Sequence, residues 1–473
     1  MRPEMWAERM PFKVTSDSNL LLGIGILDHA GYKGIRLHFR KRRNLGEQTA
    51  WCNGPFPIEP LIASISESSR ITQGKTGRMT NVSKVSQLDE VLNRIRSESF
   101  ETGRAREKSA FAKFAGQNED RLILFGAGAL GRLVLQGLKQ AGIQPIAFAD
   151  NNERLWHTEI GGVPVLPPSA VSDRYRDSAC FVVTIYNGSP VRHQLKALGC
   201  KHVAPPAALF WKYGEVFTPN FGIELPHKLP AYADEIKACH EVLADEESRC
   251  ELAGQLEWRY WLDDDSLPAP LDPKDTYFPM DLMMPSEDEV FVDCGSFQGD
   301  IFPSFTSHWN GRFRHIFAVE PDPQNREGLA TTAKTMGLTD RLTAMPYAVS
   351  NQSGIVSFAS TGTMGSKIVE GGEQSISVEC RRLDDISWPM APTYVKMDIE
   401  GAEPQALVGA SDLLRRHHPI LAVCTYHRSE HLWQIPNIIR SIAPEYNLFL
   451  RRYAEDCWEG VCYAIPDDRL KDD

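Results

Sequence analysis

The stretch that most constrains the fold is residues 288–300, DEVFVDCGSFQGD, in which an apolar strand runs into a glycine-containing turn. The turn has the pattern Asp293-x-Gly295-x-x-x-Gly299, and 21 residues beyond Gly299 a second apolar run, HIFAVE, ends at Glu320. Neighbouring parallel strands present their carboxyl ends to one crevice. We therefore predict a βαβ unit in which the backbone of the turn and the carboxylate of Glu320 face the same ligand, with Glu320 accepting both hydroxyls of a ribose.

An earlier stretch, RLILFGAGALGRLVLQGLKQAGIQPIAFADNN, has the related pattern Gly126-x-Gly128-x-x-Gly131, with a second strand ending at Asp150. Such a turn can hold a phosphate at the helix N-terminus, and an acid in this position can hold a ribose. The glycines can equally serve close helix–sheet packing without a ligand, and no Tyr-x-x-x-Lys motif of a dehydrogenase follows. The stretch resembles the small N-terminal Rossmann-like domain of sugar acyltransferases, which implies a second nucleotide or sugar site.

Length and charge limit the classes of protein that this chain can belong to. Its 473 residues exceed what one hydrophobic core supports, and its net charge of -11 argues against nucleic acid or an anionic membrane as the main partner. No apolar run approaches the about 20 residues of a membrane span. Ten cysteines without a metal-like spacing predict reduced thiols in a cytoplasmic protein.

The pattern of charge and periodicity divides the chain into five segments. Residues 1–78 carry a net charge of +5 and include the polar run SISESSRITQGKTGR, so we interpret them as a poorly ordered extension. After them we predict an N-terminal helical segment, a Rossmann-like nucleotide- or sugar-recognition domain, a helical and proline-rich linker, and a larger α/β domain, at residues 79–118, 119–215, 216–276 and 277–470.

Five motifs occur in one order and spacing: FVDCGSFQGD, FAVEPDPQN, YAVSNQSGIVSF, YVKMDIEGAEPQAL and AVCTYHRSEHLWQIP. From about residue 277 to 466 the chain resembles the FkbM family of S-adenosylmethionine-dependent methyltransferases. The resemblance implies a class I methyltransferase sheet, S-adenosylmethionine as cofactor, and O-methylation of a sugar, glycan or related small molecule. It assigns the cofactor to Asp293, Gly295, Gly299, Glu320 and Ala348.

Three acids follow the apolar run TYVKM directly, and His427 follows the next run, ILAVCTY. Methyl transfer to a hydroxyl requires a group that takes the proton, and the ordinary pKa of histidine, near 6.5, suits that role. We interpret Asp398, Glu400 and His427 as catalytic, whereas Glu403 in the first turn of a helix can simply complement its dipole.

A divalent cation held by the acids is the alternative to a protein base. We do not favour it, and we assign no metal ligands, because only one histidine and two acids are well placed. His431, four residues after His427, gives a weaker metal-pair hypothesis.

Two other functions stay open at this point. The N-terminal domain can be an NAD-dependent oxidoreductase within a bifunctional protein, or the whole chain can be a non-catalytic nucleotide- or sugar-binding protein. Titration of the protein with S-adenosylmethionine and NAD separately would distinguish them. The sequence does not indicate the oligomeric state or the acceptor.

Overall fold

The chain forms two compact units, residues 1–83 and residues 84–473. The computed structural model describes two strands of the first unit and, in the second, residues 87–359, 367–369 and 375–471. Among the described residues, no helix combines the length and the apolar character needed to cross a membrane.

The first unit contains an antiparallel pair, β1 (Leu20–His29) and β2 (Tyr32–Lys41). The sequence analysis predicted no strand here, whereas two strands pair; the interpretation of residues 1–78 as a poorly ordered extension stays a prediction. The overlooked signal is the alternation of apolar and basic residues in IRLHFR, which has the period of two that a strand requires. The remainder of the predicted extension lies outside the described residues.

The second unit begins with two helices and the first of its sheets. The helices are α1 (Gln87–Ser97) and α2 (Phe100–Ala115). The elements of the first α/β domain are β3 (Leu122–Phe125), α3 (Ala129–Gln140), β4 (Ala147–Ala149), β5 (Glu159–Ile160), β6 (Val163–Leu166), α4 (Pro168–Tyr175), β7 (Cys180–Val183), α5 (Ser189–Ala197), β8 (Val203–Ala204), α6 (Pro206–Lys212) and α7 (Gly214–Phe217).

The first sheet has the order β5-β6-β4-β3-β7-β8, and all neighbours are parallel except β5 and β6. The central strands LILF, AFA and CFVV are wholly buried. Strands of a parallel sheet are apolar throughout when helices cover both faces. The carboxyl ends of β3 and β7 lie side by side, which brings their loops together at one edge.

Two helices connect this sheet to the second one, α8 (Ala233–Val242) and α9 (Glu246–Trp261). The apolar residues that predicted them, including Ile236 and Leu252, are buried in the same core as Val292 and Val395 of the second sheet. The connecting segment is therefore part of the folded core and covers a face of the second sheet.

The second α/β domain contains the largest sheet. Its elements are β9 (Val290–Cys294), α10 (Phe302–His308), β10 (His315–Val319), α11 (Pro323–Thr335), β11 (Leu342–Met345), β16 (Tyr394–Met397), α12 (Glu403–Val408), α13 (Ser411–His417), β17 (Ile420–Cys424), α14 (His431–Ile442), β18 (Asn447–Arg452) and β19 (Gly460–Ile465). The strand order is β11-β10-β9-β16-β17-β19-β18, and only β19 runs antiparallel to its neighbours. The final antiparallel pair is the one that the sequence predicts.

Four strands between β11 and β16 form a separate small sheet in the order β12-β15-β13-β14. They are β12 (Tyr347–Val349), β13 (Gly354–Ala359), β14 (Lys367–Val369) and β15 (Ser375–Arg381). The run LTAMPYAVSNQSGIVSF contains β11, β12 and most of β13. Pro346 divides this run, since proline cannot donate to a strand ladder, and the chain changes sheets at that point.

Candidate active site

A cavity of about 750 Å³ opens at the carboxyl ends of β9, β10 and β16. Of the residues predicted to bind the cofactor, Gly295, Glu320 and Ala348 line it. Asp293 lies buried behind the cavity, and Gly299 is not in its lining. The structure thus brings together three strand ends that are distant in sequence.

The carboxylate of Glu320 is fixed by backbone groups on both sides. Its Oε2 accepts a hydrogen bond from the Phe297 N–H at 2.8 Å and its Oε1 accepts one from the Asp322 N–H at 2.8 Å. Burial raises the pKa of Glu320 to about 7, although these hydrogen bonds oppose the shift. Beside it, Asn325 also lines the cavity, and its buried Oδ1 has no hydrogen-bond partner among the described residues. These acceptor oxygens fit the hydroxyl groups of a ribose.

Gly295 is required by close contact between β9 and β16. A Cβ atom at this position would lie 1.9 Å from the carbonyl oxygen of Asp398, and its φ is 81°. The turn after β9 therefore packs against the turn that carries the predicted catalytic acids. Side chains other than glycine would separate the two turns.

Asp398 is held by four side chains. Tyr277 donates its hydroxyl to Oδ2 at 2.9 Å, and the Nζ of Lys396 lies 3.8 Å from the same oxygen. The hydroxyl of Tyr426 and the Nε2 of His427 lie 3.5 and 3.3 Å from Oδ1. Burial alone would raise the pKa of Asp398, but the Lys396 ammonium and His427 outweigh it and hold that pKa well below its usual value.

Lys396 is a site residue that the sequence analysis missed. Its ammonium donates to Asp293 Oδ1 at 2.9 Å and to the Gly295 carbonyl at 3.2 Å. Asp293 therefore pairs with a buried lysine, and the cofactor contact that the family resemblance implies for it, direct or through water, stays a prediction. A lysine at the third position of a buried strand run, YVKM, was the available signal.

His427 is fixed by Glu403. The Nδ1 of His427 lies 2.8 Å from Glu403 Oε1, and the Glu403 carboxylate is completely buried. Glu403 does begin helix α12, as predicted, but its carboxylate also accepts the Ile399 N–H at 2.8 Å. Its role is therefore to orient the imidazole and the preceding turn, which corrects the expectation of a simple complement to the helix dipole.

The protonation of His427 also differs from the expectation. Burial alone would lower its pKa, but the carboxylates of Glu403 and Asp398 outweigh burial and raise the pKa well above its usual value. An imidazolium has no lone pair with which to accept a proton. In the state described, His427 is not the neutral base that an ordinary histidine pKa would provide at neutral pH.

The three predicted catalytic residues do lie together. One ligand atom from each of Asp398, Glu400 and His427 falls within 4.8 Å of the other two. His431 is not part of this group, because its Nδ1 faces the other oxygen of Glu403 at 3.4 Å. The structure therefore does not support the weaker hypothesis of a His427–His431 metal pair.

Glu459 is a further carboxyl group on the cavity wall that the sequence analysis missed. Burial, and the negative charge of Asp398 to a smaller extent, raise the pKa of Glu459 to about 7. No local motif marks this residue, which lies in the loop between β18 and β19.

Five residues of the cavity wall have left-handed backbone conformations without being glycine. The φ angles are 48° at Phe221, 70° at Tyr277, 48° at Phe297, 58° at Glu400 and 53° at Glu459. Such conformations cost about 1–3 kcal/mol each and concentrate at functional sites. Here each of them lies at a turn that closes one wall of the cavity.

The outer wall of the cavity comes partly from the first α/β domain. Tyr186 and Asn187, in the loop between β7 and α5, line it together with Phe221 and with Trp458 of the β18–β19 loop. The ring centroids of Tyr186 and Trp458 are 4.9 Å apart. Aromatic side chains from both domains thus enclose the end of the cavity that lies nearest to His427.

The glycine turn of the first domain is explained largely by packing. A Cβ atom at Gly131 would lie 1.9 Å from the carbonyl oxygen of Gly126. Asp150 accepts the Ala127 N–H at Oδ2 and the Asn152 N–H at Oδ1, both at 2.7 Å, so its carboxylate closes this turn. Ala129 lines the cavity described above, whereas the three glycines and Asp150 do not. The second nucleotide or sugar site therefore stays a prediction.

The seven-stranded sheet, with one antiparallel strand, a glycine turn after its central strand and an acid after the next, has the architecture of class I methyltransferases. Residues 293–457 match the family model of the methyltransferase FkbM domain. The second α/β domain is accordingly an FkbM methyltransferase domain, and the general activity of this family is S-adenosylmethionine-dependent methyl transfer.

Solved structures support the fold. The methyltransferase FkbM from Methylobacillus flagellatus KT is 21% identical, with a TM-score of 0.63, over 80% of this chain and 98% of that chain. The matched 80% of this chain is longer than the second α/β domain, so the structural similarity extends into the first α/β domain.

Two other likenesses are weaker. A putative rRNA-methylase from Clostridium thermocellum has a TM-score of 0.29 at 12% identity, over 44% of this chain and 100% of that chain. A SAM-dependent methyltransferase from Aquifex aeolicus has a TM-score of 0.23 at 12% identity, over 38% and 84%. Likeness at these scores supports no conclusion. A comparison with curated protein sequences gives no match.

Proposed function

We propose that this protein transfers a methyl group from S-adenosylmethionine to a hydroxyl of a sugar, glycan or related small molecule. One observation carries the proposal. A single cavity joins the glycine turn and Glu320 to Asp398 and Glu400, and it continues to an aromatic wall shared by both α/β domains. A cofactor edge, a polar centre and an outer acceptor pocket are the three parts that methyl transfer to a bound acceptor needs.

The residues at the inner end fit the cofactor. Glu320 and Asn325 offer acceptor oxygens for ribose hydroxyls, and Ala348 provides an apolar wall for the adenine. When bound, S-adenosylmethionine supplies a methyl group on a sulfonium, whose carbon–sulfur bond breaks as the oxygen–carbon bond of the product forms. Gly295 and Phe297, from the turn after β9, close this end of the cavity.

At the centre, Asp398, Glu400 and His427 are proposed to receive the acceptor hydroxyl. The hydroxyl must lose its proton as its oxygen gains the methyl group. A carboxylate with a depressed pKa, such as Asp398, is a poor acceptor for that proton. We assign this step to Glu459 on the same cavity wall, because a pKa of about 7 is well matched to proton transfer near neutral pH.

At the outer end, the rings of Tyr186, Phe221 and Trp458 suit the flat apolar face of a sugar, and the amide of Asn187 can hydrogen-bond to its hydroxyls. This wall is the reason for proposing a sugar-like acceptor. It also gives the first α/β domain a role in acceptor binding.

The test is a labelled-methyl assay with a panel of sugars, nucleotide sugars and glycans, followed by mapping of the labelled position. We expect O-methylation of at least one sugar-containing acceptor, and we expect Asp398→Asn to abolish it. Calorimetry should show that Glu320→Ala weakens cofactor binding by about 1.5–3 kcal/mol. The proposal is wrong if the protein binds no S-adenosylmethionine, or if the label appears only on nitrogen or carbon.

A further inference from the structure

We propose that Asp398, Glu400 and His427 form a binding site for a divalent cation of the Mg²⁺ or Mn²⁺ type. The sequence analysis did not favour a metal, because it offered only three side chains and no view of their geometry. The arrangement of those side chains and of the groups behind them now favours one. The catalytic role of the cation rests on the proposed function, whereas its binding does not.

The distances are those of atoms that can share one ion. The Nε2 of His427 lies 3.3 Å from Asp398 Oδ1 and 3.9 Å from Glu400 Oε1. Around an ion with bonds of about 2.1 Å, adjacent ligand atoms are separated by ~3 Å and opposite ones by ~4 Å. The three atoms therefore need only small shifts to reach a common centre.

A second, independent observation is the burial and hydrogen bonding of the His427 side chain. The residue is 3% exposed, and among the described residues its Nε2 makes no hydrogen bond of normal geometry, although the carboxylate oxygens of Asp398 and Glu400 lie 3.3 and 3.9 Å away. Buried polar nitrogens are almost always satisfied, so a ring nitrogen left in this way indicates a missing partner. A cation between the imidazole and the carboxylates would displace the Nε2 proton and supply that partner.

Glu403 contacts the other ring nitrogen of His427. It lies 2.8 Å from the Nδ1 of His427, on the side of the ring opposite to the carboxylates of Asp398 and Glu400. Imidazoles that bind metals almost always donate their other N–H to a carboxylate or carbonyl in this way, which fixes the ring and leaves Nε2 free for the ion. Glu403 is buried and is not in the cavity lining, so orientation of His427 is the role that its contacts support.

The ammonium of Lys396 does not prevent the binding of a cation. Its ammonium lies 3.8 Å from Asp398 Oδ2, whereas the proposed ion faces Oδ1. Asp293 pairs with the same ammonium at 2.9 Å, so Asp398, Glu400 and Glu403 leave a surplus of negative charge around the site. Two carboxylate oxygens and one imidazole leave positions open for water or for an acceptor hydroxyl, whose pKa the cation would lower.

The experiment is a Mn²⁺ titration of the full chain after chelator treatment, with free Mn²⁺ measured by electron paramagnetic resonance and without cofactor or acceptor. We expect one tightly bound Mn²⁺ per chain, displaced by excess Mg²⁺. Asp398→Asn, Glu400→Gln and His427→Ala should each lose it. Glu403→Gln should weaken it by about 10–100-fold, because it removes only the support for His427.

Asp300→Asn is the matched control, since Asp300 lines the same cavity but is not part of the group. It should bind Mn²⁺ as the wild type does, and thermal melting should show that every variant is folded. The inference is overturned if the wild type binds no Mn²⁺, or if Asp398→Asn and Glu400→Gln bind it equally well. Calorimetry with S-adenosylmethionine on the same samples separates this result from a failure of the proposed function.

Discussion

Carboxyl groups on one cavity wall differ in charge because their neighbours differ. Asp398 lies beside a buried ammonium and an imidazole, and its pKa is held well below its usual value. Glu459 is partly buried, and burial together with the negative charge of Asp398 raises its pKa to about 7. The two groups therefore carry different charges near neutral pH, which is what a site needs if one carboxylate is to remain ionised while another exchanges a proton.

The raised pKa of Glu459 makes the stability of the folded protein depend on pH. In the unfolded chain the group titrates near 4.5, and in the folded protein near 7. Between these values the folded state holds a proton that the unfolded state has released, so its stability falls as pH rises. The free energy of unfolding falls by up to about 3 kcal/mol through this group, and the fall is complete above about pH 7.

Glu459→Gln should remove this loss, because glutamine does not titrate. We expect the melting temperature of the variant, relative to the wild type, to be higher at about pH 8 than at about pH 5. Glu327→Gln, at an exposed position of α11, should show no such change. An equal difference at both pH values would mean that Glu459 is ionised in the folded protein at pH 5.

At the scale of elements, two loops define the acceptor end of the cavity. The β7–α5 loop contributes Tyr186 and Asn187, and the β18–β19 loop contributes Trp458 and Glu459. The first loop belongs to one sheet and the second to the other. The first α/β domain, whose glycine turn resembles that of a nucleotide-binding unit, thus contributes a loop at the edge of its sheet to the cavity wall of the second α/β domain.

Asn187→Ala tests this role of the β7–α5 loop. Loss of a hydrogen bond of about 0.5–1.5 kcal/mol should raise the KM for the acceptor by a few-fold to about 10-fold. The affinity for S-adenosylmethionine should not change, since Asn187 is on the outer wall. Asn151→Ala, an exposed position of the same domain that is not in the lining, is the control. Equal effects of the two substitutions on KM would exclude a specific contact between Asn187 and the acceptor.

At the scale of the whole molecule, the two α/β domains share their interior. Cys457 and Trp458 of the β18–β19 loop are buried in the same cluster as Leu122 and Phe148 of the first sheet. Arg192 of α5 forms two hydrogen bonds with Asp456, at 2.9 and 2.8 Å. A continuous core with a paired charge at its edge predicts one cooperative unfolding transition for residues 84–473.

Arg192→Gln should destabilise the protein by about 3 kcal/mol, because it leaves the carboxylate of Asp456 buried without its partner. The double variant Arg192→Gln/Asp456→Asn should recover part of that loss, since it removes the unpaired charge. Chemical denaturation of the wild type, Arg192→Gln, Asp456→Asn and the double variant measures these quantities. If the loss of unfolding free energy in the double variant equals the sum of the losses in the two single variants, the interaction between Arg192 and Asp456 does not stabilise the protein.

Local pattern was enough to predict the strands and turns that place the site. Asp293-x-Gly295, Glu320 and the run TYVKM-Asp398 could be recognised because apolar periodicity, a glycine turn and a strand-end acid are properties of short segments. The order of those segments along the chain also indicated the class of sheet. The pairing of β1 with β2 and the division at Pro346 were missed where the pattern was weaker.

Only the tertiary structure decided how the site residues are charged and what they contact. Tyr277 reaches Asp398 across 121 residues of sequence, and Lys396 reaches Asp293 across 103. The pKa of His427 depends on Glu403 and Asp398, and the carboxylate of Asp150, predicted to hold a ribose, also accepts two backbone N–H groups of its own turn. Burial and long-range contacts set these properties, and neither is encoded in the spacing of a motif.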